Sequence, residues 1–568
     1  MSNAGPAAAN TAAANTTAVN GVAASGIRSS TIADIPRRSA SRTPHRVAIR
    51  FADRTWTYAE LDAAVTRVAA HLLSLGLNHG DRVAAYGKNS DAFLIGFLAC
   101  ARAGLVHVPV NYNLTGDELA YLITQSGSRM VLTDPALRAN LDALDLDVER
   151  IVALRDADDS LLAVASTGDV PDSGAQLGTK VADTDLAQLL YTSGTTSRPK
   201  GAMMTHRALV HEYLSCIVDL DLSADDEPLH VMPLYHSAQM HVFLMPWLAV
   251  GASNTIVETP DPADILRRMA EDRHGAFFAA PTLWVALANH ADFGTRDLSA
   301  LRKAYYGASI MPGPILQRLR EKLPELGFYN CFGQSEIGPL ATVLRPEDHD
   351  TRPESAGRPV LFVEARVVDA EGGDVPPGGE GEIVYRSPQL CLGYWDKPEE
   401  TDEVFGGGGG APANGGVAGG GGGAPADQGV AGGGGGVPAD EGGGWFHSGD
   451  LVRVDEEGYI FVVDRIKDVI NTGGVMVASR EVEDALYTHP SVGEVAVVGL
   501  PDEKWIEAVT AVVVPKDDGR PDEDELTQWV KDRLSAFKVP KQVHFVDDLP
   551  RNASGKILKR ELRDRFSG

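Results

Sequence analysis

The chain has 568 residues, of which 43% are hydrophobic and 23% are charged, proportions typical of water-soluble globular proteins. Its formal net charge of -27 argues against broad binding of nucleic acids or anionic membranes, because these polyanions would be repelled at long range. A chain of this length is too long for one ordinary hydrophobic core, so at least two domains are expected.

The cysteine pattern and the N-terminal segment indicate the cellular compartment in which the protein is expected. Cys100, Cys216, Cys331 and Cys391 lie far apart and form no CxxC pair, which argues against a disulfide framework or a zinc site and predicts a reducing, cytoplasmic location. Because no run of about 18 apolar residues occurs, no membrane span is expected. Residues 1–27 are rich in Ala, Asn and Thr, and we expect a disordered lead rather than a signal peptide.

Strands and helices are predicted to alternate from residue 47 onwards. Thr57 and Glu60 form a capping box at the start of a helix with apolar residues at helical spacing, and Thr115 with Glu118 forms a second one. Such alternation implies a largely parallel sheet covered on both faces. The predicted strands are 47–51, 55–57, 82–86, 106–110, 189–192, 495–499, 508–514 and 542–545; further helices are predicted at 91–102, 481–486 and 523–534.

A glycine-rich insertion is predicted at 406–444. It contains three copies of a thirteen-residue unit, GGGGGAPANGGVA, GGGGGAPADQGVA and GGGGGVPADEGGG. No large side chain is present to offset an ordering entropy of about 1–2 kcal/mol per residue, so we expect a flexible surface loop. Because loop-closure cost grows only logarithmically with length, a fold can tolerate such an insertion.

The strongest local motif is YTSGTTSRPKG at 191–201. A loop rich in glycine and hydroxyl groups offers amide and hydroxyl donors to phosphate oxygens, and Lys200 adds a positive charge. It is not a Walker A loop, because Pro199 stands where the second glycine of that motif belongs. The alternative for an isolated stretch of this kind is a polar surface turn. The predicted phosphate-binding residues are Thr192, Ser193, Gly194, Thr195, Thr196 and Lys200.

Four more motifs follow in a fixed order: NCFGQSE at 330–336, HSGDL at 447–451, DRIKD at 464–468 and PRNASGK at 550–556. With the phosphate loop, they make the chain resemble the adenylate-forming superfamily of acyl-CoA synthetases, peptide-synthetase adenylation domains and beetle luciferases, closest to fatty-acyl-CoA or aryl-CoA ligases. The resemblance covers about residues 28 to 564 apart from the insertion.

The resemblance implies an α/β fold in two domains. The large N-terminal domain, 28–466, is expected to contain stacked mixed sheets with flanking helices and a small β-barrel-like part. The small α+β C-terminal domain, 467–568, is expected to rotate on a hinge at Lys467 between two half-reactions. Without the family pattern, Lys467 would be read as an ordinary surface lysine.

The resemblance also assigns site residues. Thr192 and Glu336 belong to the Mg²⁺–phosphate region, where the Glu336 carboxylate offers a hard oxygen ligand. Asp450 accepts from the ribose hydroxyls, and Arg465 contacts the ribose or the phosphate. Lys556 holds the acid carboxylate and the α-phosphate together, and Lys200, Glu336 and Lys556 are the candidate catalytic residues. The remaining nucleotide contacts are expected from Gly307, Ala308, Ser309, Asn330, Phe332, Gly333 and Ser335.

The acid and acceptor sites are less specified. His236, Phe243, Trp284 and Tyr306 are the candidate walls of an acyl pocket, and a histidine on such a wall is more often a packing or gating residue than a catalyst. Two positions depart from the family pattern: Ser197 replaces a common glycine, and the segment 475–479 (VMVAS) is unusually apolar where the acceptor tunnel passes.

The predicted function is that of a ligase that converts a carboxylic acid and Mg-ATP into an acyl-adenylate and pyrophosphate, then transfers the acyl group to coenzyme A. One alternative is a stand-alone adenylating enzyme that delivers the acid to a carrier protein or an amine. A second is a non-enzymatic nucleotide sensor or scaffold on the same fold. The sequence leaves the acid, an unusual oxyacid included, and the oligomeric state open.

Overall fold

The computed structural model describes residues 30–167, 180–192, 198–309, 311, 313–406, 444–502, 504–516, 519, 521–551 and 556–567. The expected disordered lead lies outside these residues. So do nearly all of the glycine-rich insertion and four residues expected to bind phosphate: Ser193, Gly194, Thr195 and Thr196.

Strands and helices alternate through most of the described chain. In chain order, the strands are β1 (Val47–Phe51), β2 (Arg54–Thr57), β3 (Arg82–Tyr86), β4 (Val106–Val110), β5 (Ser128–Thr133), β6 (Arg150–Ala153), β7 (Leu186–Thr192), β8 (Lys200–Thr205), β9 (Pro228–His230), β10 (Asn254–Ile256), β11 (Ala276–Ala279), β12 (Lys303–Gly307), β13 (Gly327–Phe332), β14 (Thr342–Leu344), β15 (Arg358–Pro359), β16 (Glu364–Val368), β17 (Glu380–Arg386), β18 (Phe446–Val454), β19 (Ile460–Arg465), β20 (Ile470–Thr472), β21 (Val475–Val477), β22 (Val492–Asp502), β23 (Ile506–Pro515) and β24 (Gln542–Phe545).

The helices lie mainly between these strands. The α-helices are Asp34–Arg42, Tyr58–Ser74, Asp91–Ala103, Gly116–Gln125, Arg138–Asp142, Leu161–Ser166, His206–Asp219, Met245–Val250, Pro262–Glu271, Pro281–Asn289, Gly313–Lys322, Pro398–Phe405, Ser479–Tyr487, Glu523–Lys531 and Lys559–Phe566. Single turns of 3₁₀-helix occur at Pro135–Leu137, Ala291–Gly294, Ser335–Ile337, Pro346–Asp348 and Ile466–Asp468, and Ala238–Leu244 is a π-helix.

Two large sheets form most of the body. The nine-stranded sheet has the order β15-β14-β13-β12-β11-β9-β10-β1-β2, and its strands run parallel from β13 to β1. The six-stranded sheet has the order β6-β5-β3-β4-β7-β8 and is parallel except between β7 and β8. In sheets of this kind, ligands bind beyond the carboxyl ends of the parallel strands.

Two smaller sheets follow along the chain. Strands β16 to β19 form a four-stranded antiparallel sheet. Strands β20 to β24 form a five-stranded sheet with its own apolar core, which includes Val482, Val497 and Val513. The α/β class with a large first part and a smaller last part is confirmed, whereas the boundaries at 28 and 466 stay predictions.

The two predicted capping boxes differ in the structure. The Thr57 hydroxyl accepts a hydrogen bond from the amide of Glu60, and the Glu60 carboxylate accepts one from the amide of Thr57, so the first capping box is confirmed. The second is wrong, because the side chain of Thr115 makes no capping bond. Gly116 follows Thr115 with φ +54, so the backbone enters the helix in a left-handed conformation instead of the usual helical one.

All four cysteines are free and buried. Burial raises the pKa of Cys100 and Cys391 to about 12 and raises the pKa of Cys216 and Cys331 as well, so these thiols remain protonated at neutral pH. Among the described helices, none has the length and apolar character needed to cross a membrane.

Candidate active site

Thr192 and Glu336 meet although they are far apart in sequence. Thr192 ends β7, and its hydroxyl donates to Glu336 Oε1 at 3.1 Å. Tyr394 donates its hydroxyl to the same oxygen at 3.0 Å, while the amide of Cys391 donates to the carbonyl oxygen of Glu336 at 2.8 Å. The carboxylate is therefore oriented by two hydroxyl groups and by its backbone.

The carboxyl ends of β12 and β13 bring the expected adenine-binding segments together. Gly307 is level with Cys331 in this parallel pair, so Ala308 and Ser309 follow one strand beside Asn330 and Phe332 at the end of the other. Ala308 is exposed, whereas Ser309, Asn330 and Phe332 are half-buried and therefore partly accessible. The Asn330 side-chain amide donates to the Ser355 carbonyl oxygen at 2.9 Å.

Gly333 and Ser335 shape the loop between these strands and Glu336. Gly333 has φ +152, and a β-carbon at this position would lie 2.0 Å from the carbonyl oxygen of Pro339. Only glycine fits this close backbone approach. The hydroxyl groups of Ser335 and Ser237 are hydrogen-bonded at 2.8 Å, which joins the loop to the segment that contains His236.

Asp450 and Arg465 form an ion pair across β18 and β19. Arg465 Nε lies 2.6 Å from Asp450 Oδ1, and the Asp450 side chain is 4% exposed. Burial raises the pKa of Asp450, while the nearby Arg465, Lys556 and Lys467 lower it. A buried acceptor carboxylate neutralised from one side suits a pair of ribose hydroxyl groups.

Lys556, from the last motif of the sequence, lies near enough to this ion pair to interact electrostatically with both of its members. It is half-buried, and its pKa is lowered to about 8, mainly by burial and then by the positive charge of Arg465, with Asp450 acting in the opposite direction. Lys467, in the turn after β19, belongs to the same cluster, and burial lowers its pKa to about 8 as well. Three cations are thus gathered beside one buried carboxylate, an arrangement that attracts an anion.

Lys200 starts β8 on the other side of the phosphate loop. Its ammonium group lies 5.0 Å from the centre of the Tyr394 ring, so the aromatic ring that orients Glu336 also contacts this lysine. The structure therefore brings Thr192, Lys200 and Glu336 together around Tyr394. Their assignment to ATP remains a prediction, as do the other residue roles.

A small cavity lies beyond the carboxyl ends of β9, β11 and β12. His236 is part of its wall, and burial lowers the pKa of this histidine to about 4, so the ring is neutral at pH 7. Met232, Pro233, Ala238, Gln239, Phe278, Ala280 and Ala308 form the rest of the lining. This apolar wall with one amide and one imidazole adjoins the expected adenine segment through Ala308.

The other three expected acyl-pocket residues lie in the packed interior. Phe243 stacks on Phe278 with ring centres 4.3 Å apart, so it lies behind the lining of the cavity. The Trp284 indole donates to the Tyr305 carbonyl oxygen at 3.1 Å, and the Tyr306 hydroxyl is hydrogen-bonded to His349 at 3.0 Å. None of these three side chains is part of the cavity lining, and Phe243 supports the lining from behind through Phe278.

The donor set suits Mg²⁺. Thr192 and Glu336 offer hard oxygen ligands within 3.1 Å of each other. Among the described residues, no group of three or more His, Cys, Asp or Glu is placed to hold a metal on its own. Mg²⁺ is typically held by one or two carboxylates together with substrate phosphates, so this incomplete set fits an ion that arrives with ATP.

Sequence reasoning missed one contributor to this site. Tyr394 lies between motifs, in a stretch of sequence, QLCLGYW, without an evident chemical pattern. Tyr394 is 58 residues from Glu336, and only the fold shows that its hydroxyl is bonded to that carboxylate.

Comparisons with known proteins cover nearly the whole chain. The family model described as AMP-binding enzyme matches residues 36–395, and the model described as AMP-binding enzyme C-terminal domain matches residues 481–556. A feruloyl-CoA synthase from an Amycolatopsis species is 36% identical over 531 residues, which covers 94% of this chain and 98% of that protein.

Two further proteins are similar to nearly the whole chain. The fatty acid–[acyl-carrier-protein] ligase ScoC of Streptomyces coeruleorubidus is 32% identical over 548 residues, with 93% of this chain and 95% of that protein covered. The crystal structure of ATP-bound MatB from Rhodopseudomonas palustris superposes with a TM-score of 0.80 at 30% identity, covering 94% of this chain and 99% of that one. The chain therefore belongs to the AMP-binding enzyme family.

Proposed function

We propose that this enzyme is an ATP-dependent, AMP-forming ligase that joins a carboxylic acid to the thiol of coenzyme A through an acyl-adenylate. The observation that carries the proposal is the position of Lys556. This residue, close to the end of the chain, lies within electrostatic range of the buried Asp450–Arg465 pair, which supports a role for its positive charge in adenylation.

In the first half-reaction, a carboxylate oxygen of the acid attacks the α-phosphorus of ATP, and the bond to pyrophosphate breaks. Two anions must approach each other while negative charge builds on the α-phosphate. Lys556 and Arg465 supply positive charge at this point, and Lys200 neutralises the leaving phosphates. When bound to Glu336, Thr192 and the ATP phosphates, Mg²⁺ would supply further positive charge to those phosphates.

In the second half-reaction, the thiol loses its proton, its sulfur attacks the acyl carbon, and AMP leaves. A thiol has to reach the carbonyl group that Lys556 approaches during the first step. We propose that the segment after Lys467 turns as a unit, which withdraws Lys556 and admits the acceptor. The hinge role of Lys467 is supported by its place in the turn Ile466–Asp468, directly between β19 and β20.

The preferred acceptor is coenzyme A, since most of the similar proteins considered are named as ligases that form CoA thioesters. A carrier protein is the second candidate, because one relative of similar extent is named an acyl-carrier-protein ligase. The acid is proposed to be largely apolar, because the cavity at His236 is lined mainly by apolar side chains.

The decisive assay measures exchange of labelled pyrophosphate into ATP, with and without a panel of aromatic and aliphatic acids. Acid-dependent exchange supports adenylation, and its absence with every acid in the panel would argue for a nucleotide sensor or scaffold. Adding coenzyme A to the active mixture should then yield a thioester. If a thioester forms only with a carrier protein, coenzyme A is the wrong acceptor.

A further inference from the structure

A buried carboxyl group that has no part in the mechanism above lies behind Glu336. Glu212, in the helix His206–Asp219, is 0% exposed. Its Oε1 accepts from the amide of Leu340 at 2.9 Å and from the thiol of Cys216 at 3.4 Å, while its Oε2 accepts from the side-chain amide of Gln389 at 2.5 Å. All three described partners are hydrogen-bond donors, and none of them is a cation.

Gln389 extends this contact to the backbone. Its side-chain nitrogen also lies 3.2 Å from the carbonyl oxygen of Ile337 and 3.1 Å from that of Leu340. Its side-chain oxygen accepts from the hydroxyl of Ser215 at 2.6 Å. Glu212 and Gln389 together therefore hold both ends of the turn from Ile337 to Leu340.

This turn follows Glu336 directly. Gly338 lies against Glu212: a β-carbon on Gly338 would be 2.8 Å from Glu212 Oε2 and 3.1 Å from its β-carbon. The close approach leaves the turn little room to move while Glu212 is in place. A shift of the turn would move the backbone of the neighbouring Glu336, and with it the carboxylate that accepts from Thr192 and Tyr394.

We propose that Glu212 and Gln389 are positioning residues that fix the turn Ile337–Leu340 and thereby orient the Glu336 carboxylate toward Mg-ATP. The inference rests on the proposed function insofar as Glu336 is the metal ligand. Helix His206–Asp219 also follows β8, the strand that begins with Lys200, so one helix joins the two sides of the phosphate site.

The substitution Glu212→Gln tests this with little change in volume. Burial raises the pKa of Glu212 to about 8, yet both oxygens of a carboxyl group can accept whether or not it is protonated. The NH₂ group of a glutamine cannot accept, so it would face the N–H of either Leu340 or Gln389. One donor then loses its partner in the core, and the turn shifts or loosens.

The experiment compares Glu212→Gln in the wild-type enzyme and in a Glu336→Gln background. In the wild type we expect pyrophosphate exchange to fall about 10–100-fold, the range typical of residues that orient a metal ligand, with thiol transfer from supplied acyl-adenylate changed less than about twofold. In the Glu336→Gln background, Glu212→Gln should cause no further loss. The same fold-loss in both backgrounds, or no loss in the wild type, would overturn the proposal.

Asp91→Asn is the matched control for general destabilisation. Asp91 is also 0% exposed and accepts from Arg54 and Trp56, away from the Glu336 contacts. The Asp91→Asn substitution should lower the melting temperature, and it should change the rates of pyrophosphate exchange and of thiol transfer by the same factor.

Amide hydrogen exchange provides a readout that does not depend on activity. In the full-length Glu212→Gln protein, peptides covering 335–341 should exchange faster than in the wild type, while peptides from β22 and β23 stay unchanged. Unaltered exchange at 335–341 would refute the positioning role. If wild-type protein shows no acid-dependent pyrophosphate exchange, the proposed function fails, yet the amide exchange still decides whether Glu212 fixes the turn.

Discussion

Asp450 and Arg465 are direct neighbours in the antiparallel pair of β18 and β19, and Arg465 Nε lies 2.6 Å from Asp450 Oδ1. The arginine counteracts the effect of burial on the carboxylate, which would otherwise favour the neutral acid. It thereby favours a charged hydrogen-bond acceptor in the neighbourhood of Lys556.

Asp450→Asn should raise the KM for ATP about tenfold or more, because hydrogen bonds to a charged group contribute roughly 1.5–3 kcal/mol. It should also lower the melting temperature, since Arg465 loses its partner in a partly buried position. Steady-state pyrophosphate exchange and thermal unfolding measure the two effects. Asp374→Asn is the control: Asp374 pairs with Arg366 but is 71% exposed, so neither quantity should change. An unaltered KM in Asp450→Asn would contradict the ribose assignment.

Lys556→Ala should reduce acid-dependent pyrophosphate exchange by about 10²–10³-fold, because a cation is lost from the point where two anions meet. Transfer from supplied acyl-adenylate to the thiol should be largely retained. Rapid-quench measurement of each half-reaction separates the two. A comparable loss in both steps would refute the two-orientation scheme.

The pH dependence of adenylation should reveal the same lysine. Burial lowers the pKa of Lys556 to about 8, so its positive charge is lost as pH rises through this value. The value of kcat/KM for adenylation should therefore decline above about pH 8, and thiol transfer from supplied adenylate should not share that decline. Because the charge of Lys467 contributes to the lowered pKa, Lys467→Gln should move the decline to higher pH. An identical profile in Lys467→Gln would contradict this account.

Tyr394→Phe removes the hydroxyl that donates to Glu336 but keeps the ring near Lys200. We expect kcat/KM for Mg-ATP to fall about 3–10-fold, the effect of one hydrogen bond worth roughly 0.5–1.5 kcal/mol, and the Mg²⁺ requirement to rise. Tyr58→Phe provides the comparison, because it removes a buried hydroxyl bonded to the Ala252 carbonyl oxygen at 2.7 Å. That variant should change stability only. Equal kinetics in both variants would argue against a role for Tyr394.

Deletion of residues 407–443 should leave both half-reactions intact. The flanking residues Phe405 and Phe446 already pack together, with ring centres 5.3 Å apart, so the ends need no rearrangement to be joined. The deletion should also increase the free energy of unfolding by about 2 kcal/mol. The reason is that closing a loop costs about 0.6 kcal/mol more for each doubling of its length, and the deletion shortens this loop several-fold. Urea unfolding and pyrophosphate exchange test both parts, and a tenfold loss of exchange would reveal a functional role for the insertion.

Eight of the 24 strands in the described part of the chain were predicted, because their signals are local. Val47–Phe51, Arg82–Tyr86, Val106–Val110 and Gln542–Phe545 have the bounds expected from alternating patterns and turn residues. The helix predicted at 523–534 ends at Lys531, because its last apolar residue, Leu534, packs against the core from beyond the helix. Helix ends depend on such tertiary contacts, which a local pattern does not contain.

The motifs identified the residues around Glu336, Asp450 and Lys556, but they did not identify the side chains that hold the Glu336 loop in place. Glu212, Gln389 and Tyr394 have no shared spacing, since the contacts that join them to the Glu336 loop span 49 to 128 residues. The sequence also could not show which aromatic residues line the cavity and which pack behind its lining. Phe243 and Phe278 have the same chemistry, and only their packing separates them.

The burial of all four native thiols has a practical consequence. With their pKa values raised and their sulfur atoms covered, these cysteines should be slow to react with maleimide dyes. A pair of new cysteines, one replacing the exposed Met476 and one replacing the exposed Leu361, would then be the preferred attachment points for a donor and an acceptor fluorophore. Energy transfer between them would show whether the last hundred or so residues move during turnover, without removal of any natural cysteine.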